Sequence, residues 1–450
     1  MCGFYMFAMS TDRICSYGYF YGLLTRGFPT HTMYAGVERR PSSNFRVSYK
    51  SDWLFAGLLV AVHGLLVTIV YRYQPEPYMD EIFHVRQTRK YCNGNWSWDP
   101  MITTPPALYL LSMPLCGVER YMNSILTGLT FVGFCRFRRL FVKESVHSSA
   151  LVAIFFPVLF HTSLLFYTDL LSVCTVVWGF SLNSPLSSSL TFGLAALTRQ
   201  TNIIWAALNA AVRLVEDVDI SRPFSSIFRS LLRLTSFVLL GGSFCFFILI
   251  NGGVVLGDVS AHHPRLHLIQ FLYFALFTAI HSWPHSLPLI QRLLSELFSP
   301  FSVFLVIPVA LSAVYFAYDH PYLLADNRHI TFYLWRWWLS FPRCRLLLTP
   351  LFVCSLIYIR KLSIHLSPLV RILFVLCSFV VIVPAHLIEP RYFIVPFVLW
   401  RLSAKLSSNK LLILAELLTE LLIFASVFLL FLLKPFEWAS EPGMKQRFMW

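Results

Sequence analysis

The stretch from Trp53 to Tyr71 reads WLFAGLLVAVHGLLVTIVY, and only His63 and Thr68 interrupt its hydrophobic and small residues. A helix rises about 1.5 Å per residue, so roughly 20 such residues cross the ~30 Å hydrocarbon core of a bilayer. The next segment is polar: Pro77-Tyr78-Met79-Asp80-Glu81-Ile82-Phe83-His84, then Trp96, Trp98-Asp99-Pro100-Met101-Ile102-Thr103-Thr104 and Pro105-Pro106. Two adjacent carboxylates, a histidine and two tryptophans therefore lie just outside the membrane at one end of a spanning helix. The chain holds only 22 acidic residues, so this loop is the first place to look for chemistry.

Composition extends that reading to the whole chain. It is 57% hydrophobic and 13% charged, against about 25% charged in a soluble protein. A water-soluble fold could not hide so much apolar surface, including 42 phenylalanines. The chain reads as an all-α polytopic membrane protein, with about 11 to 14 transmembrane helices by hydropathy windows. The segments at 107–116 and 393–402 are short for spans. The net charge of +14 sits largely in clusters such as Arg136-Phe137-Arg138-Arg139 and Arg401 to Lys410. That is the pattern of cytosolic loops facing anionic lipid, not of a nucleic-acid binder. Clusters at 136–143, 213–233 and 401–410 on the cytosolic side put the 72–106 loop on the far side. Ala325 to Arg345, rich in tryptophan and arginine, reads either as a short span or as an interfacial helix.

Residues 1–50 lack an apolar core and a cleavage site, and are expected to form a poorly ordered cytosolic extension. Residues 51–450 form the multi-span domain. The ten cysteines show no CxxC pair. Neither a zinc site nor a disulfide framework is indicated, and Cys92 is expected to be a free thiol. Asn95-Trp96-Ser97 has the N-glycosylation pattern, which if used places its loop in the endoplasmic reticulum lumen. Walker A and GxGxxG patterns are missing, so neither ATP nor a dinucleotide is implied.

Polar clusters at span ends are the candidate sites, because ionisable groups at membrane depth are costly. Asp80 or Glu81 fits a general base for a hydroxyl nucleophile, with His84 beside them. The pair fits equally a helix N-cap with an acidic first turn. Arg199, with Gln200 and Asn202, fits a phosphate or sugar site through its fork of donors, or snorkelling at an interface. Tyr167-Thr168-Asp169, Gly257-Asp258, Asp326-Asn327-Arg328-His329 and Glu389-Pro390-Arg391-Tyr392 pose the same choice, the nearby acids suggesting structural ion pairs. His262, His263 and His267 are interrupted by Pro264, so no metal is expected there. His63 and His161 read as hydrogen-bonded core histidines, and Glu416 and Glu420 as an inward-facing pair.

Together these motifs resemble a known family. Tyr78 to His84, Gln87, Lys90-Tyr91-Cys92 and Trp98 to Thr104 are similar to the first luminal loop of the dolichyl-phosphate-glucose-dependent α-1,2-glucosyltransferases of the endoplasmic reticulum. Tyr167 to Asp169, Arg199 to Trp205, Asn251-Gly252-Gly253 with Gly257-Asp258, His320 to His329, Pro390 to Phe393 and Gln446 to Trp450 match in order. The resemblance covers about Asp52 to Trp450. It implies a C-type glycosyltransferase fold with a luminal active site and a multi-pass endoplasmic reticulum location. It further implies an inverting transfer of glucose from dolichyl-phosphate-glucose to the diglucosylated dolichyl-diphosphate oligosaccharide, without a metal cofactor. Asp80 would be the base, with Glu81 its rival. Arg199, Arg328 or Arg391 would stabilise the departing phosphate. His84, Asp169, Gln200, Asn202, Asp258, Asp326, Asn327 and Tyr392 would line the substrates. Leu111 to Arg138 departs from the pattern, with Glu119 and Arg120 where an apolar helix is expected. Two other functions remain. A multi-span transporter would carry polar residues at mid-span and internal repeats, whereas here polar motifs crowd at span ends. A sister glucosyltransferase would act one step earlier.

Overall fold

The structure, a computed structural model, describes residues 49–219, 221–257 and 264–450. The expected N-terminal extension, apart from Tyr49 and Lys50, lies outside the described residues, as do Asp258, His262 and His263. The rest is helical apart from one antiparallel pair, β1 (Phe436–Trp438) and β2 (Glu441–Gln446).

Two helices, Lys50–Tyr73 and Lys410–Leu433, are long and apolar enough to cross a membrane, or up to five if each of three bent pairs counts as one span. This fits an all-α polytopic membrane protein, but with fewer full-length spans than the sequence suggests. Breaks explain the difference. Val146–Ile154 and Pro157–Ser163 meet at 63°, Pro223–Arg233 and Thr235–Asn251 at 71°, and Trp283–Leu297 and Pro300–Tyr315 at 84°. Two of the three second halves open on proline, which cannot donate to the preceding turn. The segment 107–116 is not a span. It is a five-residue helix, Ala107–Leu111, and a 3-10 turn around Pro114. The segment at 393–402 is a ten-residue helix, Ile394–Ser403, buried along most of its length. Between 325 and 345 the chain forms only short turns, Ile330–Leu334, Trp335–Leu339 and Pro342–Leu347, with Trp337 and Trp338 exposed.

The Lys50–Tyr73 helix packs on Tyr121–Phe141 at a glycine. A Cβ on Gly128 would lie 2.6 Å from Val60 Cγ2 and 3.2 Å from the Ala56 carbonyl oxygen. Small residues allow such close helix approach in membranes. His63 ties this pair to the next layer, bonding Ser124 Oγ at 2.9 Å and Ser163 Oγ at 2.8 Å.

At the helix end away from Asp80, some of the basic clusters turn inward. Arg139 grips both oxygens of Asp52 at 2.6 and 2.7 Å. Arg138 is buried and donates to the carbonyls of Leu402 and Ala404 at 2.9 and 2.6 Å. Arg401, also buried, holds Glu416, which meets His285 at 3.1 Å, while Glu420 meets His281 at 3.0 Å. These arginines therefore pair with buried acids or donate to buried carbonyls. Asp52, Cys135 and His147 have ligand atoms within 4.8 Å of one another, but Arg139 already occupies the Asp52 carboxylate.

Candidate active site

After Tyr73 the chain leaves its helix and passes Pro75 and Pro77 to Met79, a non-glycine residue at φ 54°. Such a conformation is sparsely populated and concentrates at functional sites. It delivers Asp80 to the start of the Glu81–Cys92 helix. Asp80 makes no side-chain capping bond there, so its carboxylate is free to point elsewhere. It meets Arg391 Nη2 at 2.8 Å and is 44% exposed.

Glu81 has the opposite environment. Its side chain is 0% exposed and both oxygens accept from Arg120 at 2.7 Å. Tyr78 N at 3.0 Å and Phe166 N at 2.7 Å complete its shell. Arg120 also donates to the Gln74 and Glu76 carbonyls and lies over the Tyr71 ring at 4.6 Å. Glu81 is thus fully engaged, fixing the loop between two helix ends. The charged pair Glu119-Arg120, out of place in an apolar helix, has two partners in this loop: Arg120 takes Glu81, and Glu119 takes Arg89 at 2.8 Å.

Arg391 is the centre of the site. It pairs with Glu389, meets Asp80 at 2.8 Å, approaches Asp169 at 3.8 Å and stacks over Tyr167 at 4.8 Å. Arg199 holds the other Asp169 oxygen at 3.0 Å and donates to Thr168 Oγ1 at 3.0 Å. Asp169 is buried, and neither oxygen has a donor in hydrogen-bond geometry among the described residues. It is held by charge alone. Tyr392 follows Arg391, its phenol beside Glu389.

Burial pushes the Asp80 carboxyl up, but the Arg391 guanidinium holds it below the usual carboxylate range. Burial drives His84 down to about 4 against the pull of Asp80, so its imidazole is neutral at pH 7. His84 Nδ1 bonds the Tyr109 hydroxyl at 2.8 Å, and that hydroxyl meets Thr104 Oγ1 at 2.7 Å.

The remaining loop is zipped onto the Glu81–Cys92 helix. Gln87 donates to the Ser97 carbonyl at 2.9 Å and accepts from Asp99 N at 3.0 Å, while Arg86 pairs with Asp99 at 2.5 Å. Cys92 is bridged to Cys116, which corrects the free-thiol expectation. Their separation of 24 residues, with Cys116 in an apolar segment read as a span, hid the pairing. Gly257, at φ +63°, packs so tightly on this loop that a Cβ would collide with the Pro100 and Ile102 carbonyl oxygens.

Other expected site residues stand at the edge. Gln200 donates to the Thr103 carbonyl at 2.7 Å. Asn202 is buried and bonds Ser172 Oγ at 2.8 Å and the Ala195 carbonyl at 2.9 Å, tying its turn to two neighbouring helices. Arg328 is forked by Asp326 at 2.8 and 2.7 Å and reaches Gln446 at 3.0 Å, and Asn327 accepts from Trp438 at 2.7 Å. His329 bonds the Trp450 carbonyl. This motif is therefore docked on the β-hairpin and the residues after it. Arg447, part of the closing Gln446 to Trp450 match but given no role there, donates to the carbonyls of Tyr73, Phe431 and Leu432 and exchanges backbone bonds with Tyr78 Oη.

Residues 74–402 match the model of the DIE2/ALG10 family. A human Dol-P-Glc:Glc(2)Man(9)GlcNAc(2)-PP-Dol alpha-1,2-glucosyltransferase is 33% identical, over 86% of this chain and 96% of its own length. Proteins of the same name from Arabidopsis thaliana and Yarrowia lipolytica are 30% and 29% identical, over 85% and 84% of this chain and 96% and 94% of theirs. No solved structure matches. The chain belongs to the DIE2/ALG10 family.

Proposed function

We propose that this protein is the glucosyltransferase that adds the terminal α-1,2-linked glucose to the lipid-linked oligosaccharide, using dolichyl-phosphate-glucose as donor and the diglucosylated dolichyl-diphosphate oligosaccharide as acceptor. Its relatives' shared name and the match along residues 74–402 support the donor and acceptor. They favour it over a transporter or an enzyme one step earlier. Assembly of N-glycan precursors fits the endoplasmic reticulum membrane. The Cys92–Cys116 bridge supports a luminal loop, because disulfides persist in oxidising compartments. A C-type glycosyltransferase fold is the architecture consistent with this activity.

One observation carries the mechanism. Of the three acids that meet Arg391, Asp80 is 44% exposed, whereas Asp169 and Glu389 are 1% and 10%, and its neighbour Glu81 is 0% exposed in the grip of Arg120. Asp80 takes the proton of the acceptor glucose 2-hydroxyl as that oxygen attacks the donor anomeric carbon. The bond from that carbon to the phosphate oxygen breaks, configuration inverts, and dolichyl phosphate leaves. Arg391, with Arg199 behind it, receives the phosphate charge, a stabilisation of the oxyanion-hole kind. Asp169 and Glu389 hold the two guanidinium groups in place. His84, neutral, orients through Tyr109 and Thr104 and carries no charge into the site. In this mechanism the arginines take the role a metal plays elsewhere.

The test uses purified protein in detergent with both lipid substrates and EDTA. Transfer by wild type that is lost in Asp80→Asn, with donor binding intact, supports the reading. Full activity in Asp80→Asn removes Asp80 as base, and inhibition by EDTA removes the metal-independent mechanism.

A further inference from the structure

Away from Asp80, the described residues enclose an apolar cavity of about 500 Å³ between the helices Ile203–Asp217, Ile269–His281 and Pro368–Ile382. Its walls include Phe137, Phe180, Leu208, Phe271, Leu356 and Phe374. The size lies within the ~300–1,000 Å³ of small-molecule sites. Wall chemistry of this kind selects hydrocarbon.

One end of the cavity is basic. Arg371 and Arg360 line it beside Ser363 and Ser403. This is the end where Lys405 N donates to the Leu362 carbonyl and Arg138 caps Leu402 and Ala404. It is therefore the membrane face opposite Asp80. Arg360 meets Glu296 at 3.4 Å, and Ser363 accepts from Trp400 Nε1 at 3.2 Å. Arg371 has no carboxylate partner among the described residues, and its buried Nε has no hydrogen-bond partner. It also stands in the first turns of Pro368–Ile382, a helix with no acid in its first turn. A cation is unfavourable near the positive end of a helix dipole. Ser367 Oγ already caps the helix by accepting from Val370 N at 3.3 Å, so the open demand is the guanidinium's, which an anion would meet.

We propose that this cavity binds one anionic phospholipid from the leaflet opposite the catalytic loop, with its phosphate on Arg371 and one acyl chain along Phe271 and Phe374. The site is separate from the donor, whose phosphate belongs at Arg391 at the other end of the bundle.

Native mass spectrometry of the full protein, offered equal phosphatidylserine and phosphatidylcholine, tests this. Wild type should retain one phosphatidylserine with a preference of about fivefold, the shift expected of one basic residue at an anionic surface. Arg371→Gln should abolish the preference and Arg371→Lys should keep it. Leu356→Trp should exclude both lipids. Glucose transfer by each variant confirms that it is folded. An undiminished preference in Arg371→Gln overturns the proposal. So does displacement of phosphatidylserine by an equal amount of dolichyl phosphate, which would give the cavity to the donor's chain.

Discussion

Asp80 and Glu81 are neighbours in sequence and opposites in surroundings: the first is 44% exposed against Arg391, the second 0% exposed in the grip of Arg120. Adjacent residues at a helix start point about 100° apart. Here that angle separates a carboxylate open to solvent from one built into the loop's frame.

Substituting each carboxylate should therefore fail in a different way. Asp80→Asn should lower glucose transfer by about 10²- to 10⁴-fold, the usual worth of a positioned base, with an unchanged melting temperature. Glu81→Gln should cost about 3–5 kcal/mol of stability by leaving Arg120 buried without its counter-charge. Transfer assays and thermal unfolding in detergent, run on both variants, distinguish the two.

Arg391 also sets the pH dependence. It helps hold Asp80 below the usual carboxylate range, so the base is ionised through the neutral region and transfer falls only as pH drops through that lowered value. In Arg391→Met the Asp80 value should rise, and the acidic limb of kcat/KM should move to higher pH. An unmoved limb would show that Asp80 does not control it. His84, already down at about 4, should add no limb near pH 6.5.

The Cys92–Cys116 bridge closes a loop with a sequence separation of 24 residues, for which loop-closure entropy gives about 3 kcal/mol. Cys92→Ser, or reductant added to wild type, should lower the melting temperature and loosen the substrate loop. Limited proteolysis between residues 93 and 115 reads the second effect.

Gly257→Ala should depress activity more than stability. The added methyl must displace the carbonyls of Pro100 and Ile102, and the strain falls on the segment ahead of Thr103 and Thr104. A raised KM with a nearly unchanged melting temperature is the expected outcome.

The hydrophobic pattern revealed helical membrane character, because burial in lipid demands long apolar runs. It overstated the spans, because hydropathy counts residues and does not see where Pro157 or Pro300 bends the chain. Asp80, His84, Asp169, Arg199 and Arg391 were legible as polar residues at span ends, and the structure gathers them around one guanidinium. Asn202 was read as a ligand because an amide beside arginine resembles a sugar site, yet its partners lie 7 and 30 residues upstream in neighbouring helices. Arg120 and Arg447 were missed as anchors, because their partners, Glu81 and the helix-terminal carbonyls, are distant in sequence. Glu119-Arg120 was the available signal: two charges in an apolar context call for partners.

Tyr78 and Arg447 exchange hydrogen bonds across 369 residues of sequence. During synthesis the segment carrying Asp80 leaves the ribosome early, but its clasp arrives only when Arg447 has been made. Contacts of such long range form late in folding. A chain made only as far as the Lys410–Leu433 helix would hold Asp80 in an unclasped loop, so glucose transfer should appear only once Arg447 has emerged and docked.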